Sequence, residues 1–169
     1  MQPNRYVFYE KNDTRLAIMP KPSSEWLAED IQFLKLDGFD IIVSMLEQSE
    51  AAEIGLAGEG EVCEKLGLSF ISFPILDRGI PDNRTEFSAL IEGLRDDFVA
   101  GQSIAIHCRA GIGRSGMVCV GMLISLGHSV DDAVALVFEA RGVEIPDTPE
   151  QTEFLCDIEG NPQAMNKSP

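Results

Sequence analysis

Residues 107 to 115 read His-Cys-Arg-Ala-Gly-Ile-Gly-Arg-Ser, with one cysteine six residues before an arginine and two glycines between them. Such a loop can close into an anion cradle of phosphate size with a nucleophile at its base. Gly111 and Gly113 permit dihedrals that turn successive amide N–H groups inward, as in an anion nest. Cysteine attacks as its thiolate, and a free thiol near pKa ~8.5 is mostly protonated at neutral pH. Inward N–H groups, a helix N-terminus and Arg114 would each stabilise the sulfur anion; such surroundings lower thiol values to between ~3.5 and ~7.5. Arg114 offers a planar fork that grips two phosphoryl oxygens, a geometry lysine cannot copy. Those oxygens carry the charge in a loose phosphoryl-transfer transition state, so the cradle acts there as well as in binding. Ser115 can donate a hydrogen bond to the sulfur and ease its departure. His107 reads as a residue that fixes the loop, because a side chain before the nucleophile points away from the pocket.

A second stretch complements the first. Phe73-Pro74-Ile75-Leu76-Asp77-Arg78-Gly79-Ile80-Pro81-Asp82 follows an apolar strand-like run. Expelling an alkoxide or phenoxide from phosphorus needs a proton donor on the side opposite the thiolate, and Asp77 on such a loop can provide it. Gly79 gives the loop freedom and Pro81 limits where it bends. Asp82 is a competing acid, explained as a helix-start charge beside Asn83. Gln151 has two readings of equal weight. Thr148-Pro149-Glu150-Gln151 is a capping-box pattern that would use the glutamine locally; alternatively its amide places the water that cleaves a phosphocysteine.

Positioning these groups requires strands that end where the loops begin. Ser103 to Ile106 is an apolar run suited to a buried strand, and Ser115 to Leu126 is apolar on nearly every side, as in a buried helix. The anion loop therefore lies between a strand end and a helix N-terminus, where unpaired N–H groups favour anions. Residues 5–9 and 15–19 read as strands around the turn-prone Lys11-Asn12-Asp13, followed by a helix from Ser24 to Leu36 and a strand at Ile41-Ile42-Val43. Glu59 to Leu66 reads as helix and Ser69 to Phe73 as strand. Asn83-x-x-Glu86 resembles a capping box before Phe87, Leu90, Ile91, Leu94 and Phe98 at helical spacing. Ser129 caps a helix to Arg141 with Gly142 as its stop, and a last helix starts at Pro149. This alternation predicts one α/β domain over residues 1–160, with a mainly parallel central sheet flanked by helices and a short antiparallel N-terminal edge. Residues 161–169 are expected to form a flexible tail.

The chain has 169 residues, 44% of them hydrophobic, and a mean hydropathy of +0.01, ordinary values for a domain with a substantial core. No apolar run approaches the roughly 20 residues needed to span a bilayer. The opening Met1-Gln2-Pro3-Asn4-Arg5-Tyr6 lacks a secretory pattern. A net charge of -15 argues against nucleic-acid or acidic-membrane partners. An anionic substrate then needs local cations, for which Arg78, Arg84, Arg109 and Arg114 are available. Cys63, Cys108, Cys119 and Cys156 show no CxxC spacing and only two histidines exist, so no metal site or cofactor is expected. Cys63, Cys119 and Cys156 read as buried structural cysteines. A reactive thiol implies a reducing compartment, the cytoplasm.

Taken together, the motifs resemble the cysteine-dependent protein tyrosine phosphatase superfamily, in its atypical dual-specificity group. Residues 107–115 match that superfamily's His-Cys-x5-Arg-Ser/Thr phosphate-binding P-loop in full. Asp77-Arg78-Gly79-Ile80-Pro81 resembles its general-acid loop, and Thr148-x-x-Gln151 a glutamine motif of the phosphatases associated with cyclin-dependent kinases. The similarity spans residues 24 to 158. It implies Cys108 as nucleophile, Arg114 as phosphate clamp, Asp77 as acid and then base, and Ser115 as the aid to thiolate departure. Gln151 would place water, and the amides of Arg109, Ala110, Gly111, Ile112, Gly113 and Arg114 would bind phosphate. Ser44-Met45-Leu46-Glu47 resembles a substrate-facing loop in which Glu47 either orients Arg114 or serves as a helix-start carboxylate. Ile75-Leu76 stands where tyrosine-specific members place Trp-Pro. Ile112 occupies a position that is usually basic in phosphoinositide-directed members.

The implied function is hydrolysis of phosphotyrosine, with phosphoserine and phosphothreonine as further candidates, in a protein or peptide substrate, by a monomer. The alternatives are a catalytically silent phosphoprotein-binding module, a phosphoinositide phosphatase, and sulfur-transfer or arsenate chemistry.

Overall fold

A computed structural model describes residues 2–160 of the chain. The tail expected over 161–169 lies outside the described residues. The first two strands, β1 (Tyr6–Lys11) and β2 (Thr14–Met19), pair antiparallel through a two-residue turn. Asn12 and Asp13 both take positive φ there, at 51° and 66°, as a primed hairpin turn requires. Then come α1 (Leu27–Leu36), β3 (Ile41–Ser44), α2 (Gln48–Glu53), α3 (Glu59–Lys65), β4 (Ser69–Ser72) and α4 (Arg84–Val99). The chain continues with β5 (Ile104–His107), α5 (Arg114–Ser125), α6 (Val130–Arg141) and α7 (Pro149–Gly160).

The five strands lie in the order β1-β2-β5-β3-β4, with every pairing except β1–β2 parallel. This is the expected mainly parallel sheet with an antiparallel N-terminal edge. Successive side chains point to opposite faces of a strand, and this sheet sorts them into two cores. Leu16, Ile18, Ile41, Val43, Ile104 and Ile106 face the larger core under α4, α5, α6 and α7. Ala17, Met19, Ile42 and Ala105 face the smaller one, with Ile31 and Leu34 of α1 and Cys63 of α3. Burial on both faces explains why β3 and β5 are uninterrupted runs with no exposed position.

The sheet register fixes where the chemistry can sit. Met19, Ser44 and His107 are last residues of adjacent parallel strands and pair across the sheet, as do Ser44 and Ser72. The segments leaving β2, β3, β4 and β5 thus gather at the carboxyl edge, where ligands bind in open α/β sheets.

Helix termini follow their caps. The Asn83 side chain accepts from the amides of Thr85 and Glu86, Ser129 from that of Asp132, and Gly142 closes α6 with φ of 76°. Two expectations change. The helix expected from Ser24 begins at Leu27, because the Asp30 carboxylate accepts from the Ser23 amide and holds the preceding residues in a turn. Cys156, expected to be buried, is exposed. α7 buries Gln151, Phe154, Leu155 and Ile158, an i, i+3, i+4, i+7 stripe that leaves Cys156 on the outer face. Cys63 and Cys119 are buried as expected. Burial, helped by the Glu59 charge, pushes the Cys63 thiol up to about 12, which leaves it unreactive.

Candidate active site

β5 ends at His107, the chain turns through residues 108–113, and Arg114 opens α5. Gly111 has a φ of 68° and packs so tightly on the Met19–Pro20 backbone that a Cβ would overlap both residues. Gly113 is needed for a different reason than the one expected. Its φ is an ordinary -78°, but a Cβ there would lie 2.8 Å from Gln151 Oε1 and 3.0 Å from Asp147 Cβ. Room for α7, not backbone freedom, fixes glycine at that position.

Cys108 lies at the base of this loop, 3% exposed, with Sγ 3.3 Å from the Ser115 hydroxyl. Burial is the strongest single influence and pushes the thiol up. Hydrogen bonds from the Ser115 hydroxyl and from the amides of Ser115, Ile112 and Gly111 together outweigh it, so the value falls below that of an ordinary thiol. Cys108, Asp77, Arg78, Arg109, Ala110, Ile112, Gly113, Arg114, Asp147 and Gln151 line one open cleft of about 250 Å³. Arg84, counted above among possible cleft cations, is elsewhere: it pairs with Asp157 at 2.7 Å and stacks on Phe154.

Arg114 is 2% exposed. Its Nη1 and Nη2 donate to the two carboxylate oxygens of Glu50 at 2.6 and 3.0 Å, and Nη1 also donates to the Ile75 carbonyl at 3.1 Å. Glu50, and not Glu47, is therefore the carboxylate that orients the clamp. Glu47 stands at the N-cap position of α2, where its side chain makes no capping hydrogen bond. Hydrogen bonding to Arg114, against the cost of burial, holds the Glu50 carboxyl below the usual range. Glu50 escaped sequence reasoning because α2 has only six residues, too few to display a periodic face. In the Ser44–Glu47 segment Met45 and Leu46 are buried, and none of the four residues lines the cleft around Cys108.

The loop after β4 brings Asp77 over the cradle, with Oδ1 3.0 Å from Arg114 Nη2 and the side chain 62% exposed. Arg78, at a strained positive φ of 60°, pairs with Asp147 at 2.8 Å. Asp82 is exposed next to the Asn83 cap and does not line the cleft.

Gln151 is fully buried, and both ends of its amide are engaged. Oε1 accepts from the amides of Asp147 and Thr148, while the Thr148 hydroxyl accepts from the Gln151 amide, which completes the capping box. Nε2 donates to the Gly79 carbonyl at 2.9 Å. The glutamine thus ties the start of α7 to the Asp77 loop.

His107 is also fully buried. Its Nδ1 lies 3.2 Å from the Cys108 carbonyl and its Nε2 2.9 Å from Glu59 Oε1. Burial opposes the charged ring most strongly, yet the Glu59 carboxylate and the Cys108 carbonyl and sulfur more than compensate and raise its pKa. Glu59 was also missed; an acidic residue in the first turn of a helix carries no sign in the sequence of what lies beneath it.

The arrangement can bind a dianionic phosphoryl group against a thiolate, with a fixed guanidinium at its side and a carboxyl group above. Comparison with known proteins agrees. A family model described as "Polymorphic toxin system, DSP-PTPase phosphatase" matches residues 18–128. A protein of Invertebrate iridescent virus 3 named as a tyrosine phosphatase, 067L, is 32% identical over 93 residues, covering 53% of this chain and 36% of that protein. The protein tyrosine phosphatase type IVA 3 of Bos taurus is 26% identical over 130 residues, covering 75% of this chain and 69% of that one. The chain spans little more than a third of the length of the viral relatives it matches. In fold it is similar to the kinase associated phosphatase carrying a serine in place of its catalytic cysteine, with a TM-score of 0.86 at 19% identity over 99% of both chains. It is also similar to Tk-PTP in its active form, with a TM-score of 0.77 at 27% identity, over 95% of this chain and 99% of that one. With the family model covering most of the chain and the Cys108 loop built as that chemistry requires, the protein belongs to the DSP-PTPase phosphatase family.

Proposed function

We propose that the chain hydrolyses phosphotyrosine, and phosphoserine or phosphothreonine, in protein or peptide substrates through a phosphocysteine intermediate. The observation that carries this is the convergence on Cys108 Sγ of the Ser115 hydroxyl and three amides, beside an Arg114 that Glu50 holds bidentately. In the first step the Cys108 thiolate forms a bond to phosphorus and the ester P–O bond breaks. Asp77 gives its proton to the departing oxygen. In the second step Asp77 takes a proton from water, whose oxygen bonds to phosphorus while the S–P bond breaks. The Ser115 hydroxyl donates to the sulfur as it leaves. Amides between Arg109 and Arg114, with the Arg114 fork, bind the phosphoryl oxygens throughout. Gln151 serves this scheme as a tether of the acid loop, since its amide is already engaged there. Water placement would need that bond to open.

Residues 1–160 act as the catalytic domain in this reading, as a monomer in the reducing cytoplasm, without metal or cofactor. The net charge of -15 supports a phosphorylated protein partner over nucleic acid or an acidic membrane. Among the described residues no helix is long and apolar enough to cross a membrane. Ile112, apolar and packed against the larger core, supplies no cation for further phosphates on an inositol ring, so a phosphoinositide is the weaker reading. A silent binding module is weaker too, since the chain carries Cys108, Arg114, Asp77 and Ser115, a residue of each type the two steps call for.

The test is hydrolysis of an aryl phosphate with chelator present. Cys108→Ser should abolish turnover, and Asp77→Asn should lower kcat by about 100-fold, the scale of a lost general acid, while phosphate still binds. Full activity in Cys108→Ser would refute the assignment.

A further inference from the structure

The outer wall of the Cys108 loop is as ordered as its inner one. Its first three carbonyls after the nucleophile, those of Arg109, Ala110 and Gly111, each accept from a donor outside the loop. The Lys21 amide donates to the Arg109 carbonyl at 3.2 Å. Arg141, at the last position of α6, supplies the other two: Nη2 donates to the Ala110 carbonyl at 3.1 Å and Nε to the Gly111 carbonyl at 2.9 Å. Its guanidinium carbon lies 4.5 Å from the centre of the Tyr6 ring on β1, which fixes the plane of the fork. In the sequence Arg141 reads only as the end of a helix before the Gly142 stop.

A peptide unit is planar and trans, so its C=O and N–H point in opposite directions. The Ala110 carbonyl shares its plane with the Gly111 N–H, and the Gly111 carbonyl with the Ile112 N–H. Those two N–H groups are the ones from this half of the loop that donate to Cys108 Sγ. Holding the carbonyls outward therefore holds the donors inward. We propose that Arg141 is a positioning residue for the reaction: its fork grips the two carbonyls and locks the 110–111 and 111–112 peptide planes with their N–H groups on the nucleophile and its phosphoryl ligand. The lock is needed because Gly111 has no side chain to restrict its dihedrals, and a flipped plane would aim a carbonyl oxygen at a thiolate. A cation on the carbonyl end also polarises each peptide so that its N–H is a better donor. The inference rests on the reading of Cys108 as nucleophile.

Arg141→Met removes the fork and keeps an apolar stem against Tyr6; Arg141→Lys keeps the charge without the fork. Three quantities separate a positioning role from a merely structural one: kcat/KM for an aryl phosphate, inhibition by vanadate, and the pH midpoint for alkylation of Cys108 by iodoacetate. Arg114 and Cys119 on α5 and His107 on β5, which act electrostatically on the same sulfur, are unchanged in both variants. In Arg141→Met, kcat/KM should fall by about 10- to 100-fold, the scale of a misplaced catalytic group. Vanadate inhibition should weaken in step, the alkylation midpoint should rise by about one unit, and Arg141→Lys should lie between. Wild-type vanadate affinity and midpoint in Arg141→Met would overturn the proposal. Should that variant not unfold cooperatively, Arg141→Lys decides alone: weakened vanadate binding supports the lock, wild-type binding overturns it. A wild-type chain with no hydrolysis and an ordinary thiol midpoint is a separate outcome that defeats the underlying reading instead.

Discussion

Cys108 and Arg114 are both almost wholly buried, and a buried charge persists only where fixed partners replace water. For the sulfur these partners are N–H and O–H dipoles; for the guanidinium the partner is Glu50. Glu50→Gln takes from Arg114 its buried carboxylate and leaves the exposed one of Asp77 beside it, and a broken buried pair costs about 3 kcal/mol. The expected result is a loss of that order in chemical unfolding, together with weaker phosphate inhibition, while Glu47→Gln behaves as wild type in both assays. The pH dependence has a definite sign. A carboxyl held below its unfolded value stabilises the fold above the usual carboxylate range, and that stabilisation is lost as pH falls through the lowered value. Acid unfolding followed by circular dichroism should therefore show a shallower acid limb in Glu50→Gln than in the wild type. The residues of the anion loop were legible in the sequence because their types are individually demanding. Glu50, Glu59 and Arg141 were not, because a carboxylate or guanidinium on a helix surface looks the same whether it faces water or a neighbour.

The elements place these groups by ending together. Alternation of apolar residues and strong caps at Asn83, Ser129 and Gly142 made most strands and helices readable before the structure. Which strand neighbours which was not readable, since β2 and β3 join β5, and β4 joins β3, through contacts remote in sequence. That pairing is what carries Asp77 to Arg114 and α7 to the acid loop. The Gln151 link to Gly79 and the Arg78–Asp147 pair both tie α7's approach to that loop. The exposed ion pair contributes little by itself. Gln151→Ala should lower stability by about 1 kcal/mol through the lost cap. It should also lower kcat more for phenyl phosphate, whose leaving group needs a proton, than for p-nitrophenyl phosphate, whose leaving group needs less help. Equal effects on both substrates would show that the tether does not serve the acid.

At the scale of the whole molecule, an acidic protein carries arginines at the one cleft that must take an anion. Arg109 is half-exposed there and 4.0 Å from Glu50, while the net charge of the chain is -15. Phosphopeptides with basic flanks should be preferred over acidic ones several-fold in kcat/KM at low ionic strength. The difference should shrink as salt brings the Debye length to about 10 Å near 0.1 M. A preference unchanged by salt would assign selectivity to direct contacts instead. The claim beneath all of this is that phosphorus passes through a covalent bond to one sulfur, and turnover quenched in acid and followed by mass spectrometry of the Cys108 peptide tests it most directly. A phosphoryl adduct on Cys108 is expected during steady-state hydrolysis, at higher occupancy in Asp77→Asn with p-nitrophenyl phosphate, whose leaving group needs little help in the first step while the second still lacks its base. Steady-state hydrolysis with that peptide never modified would contradict it.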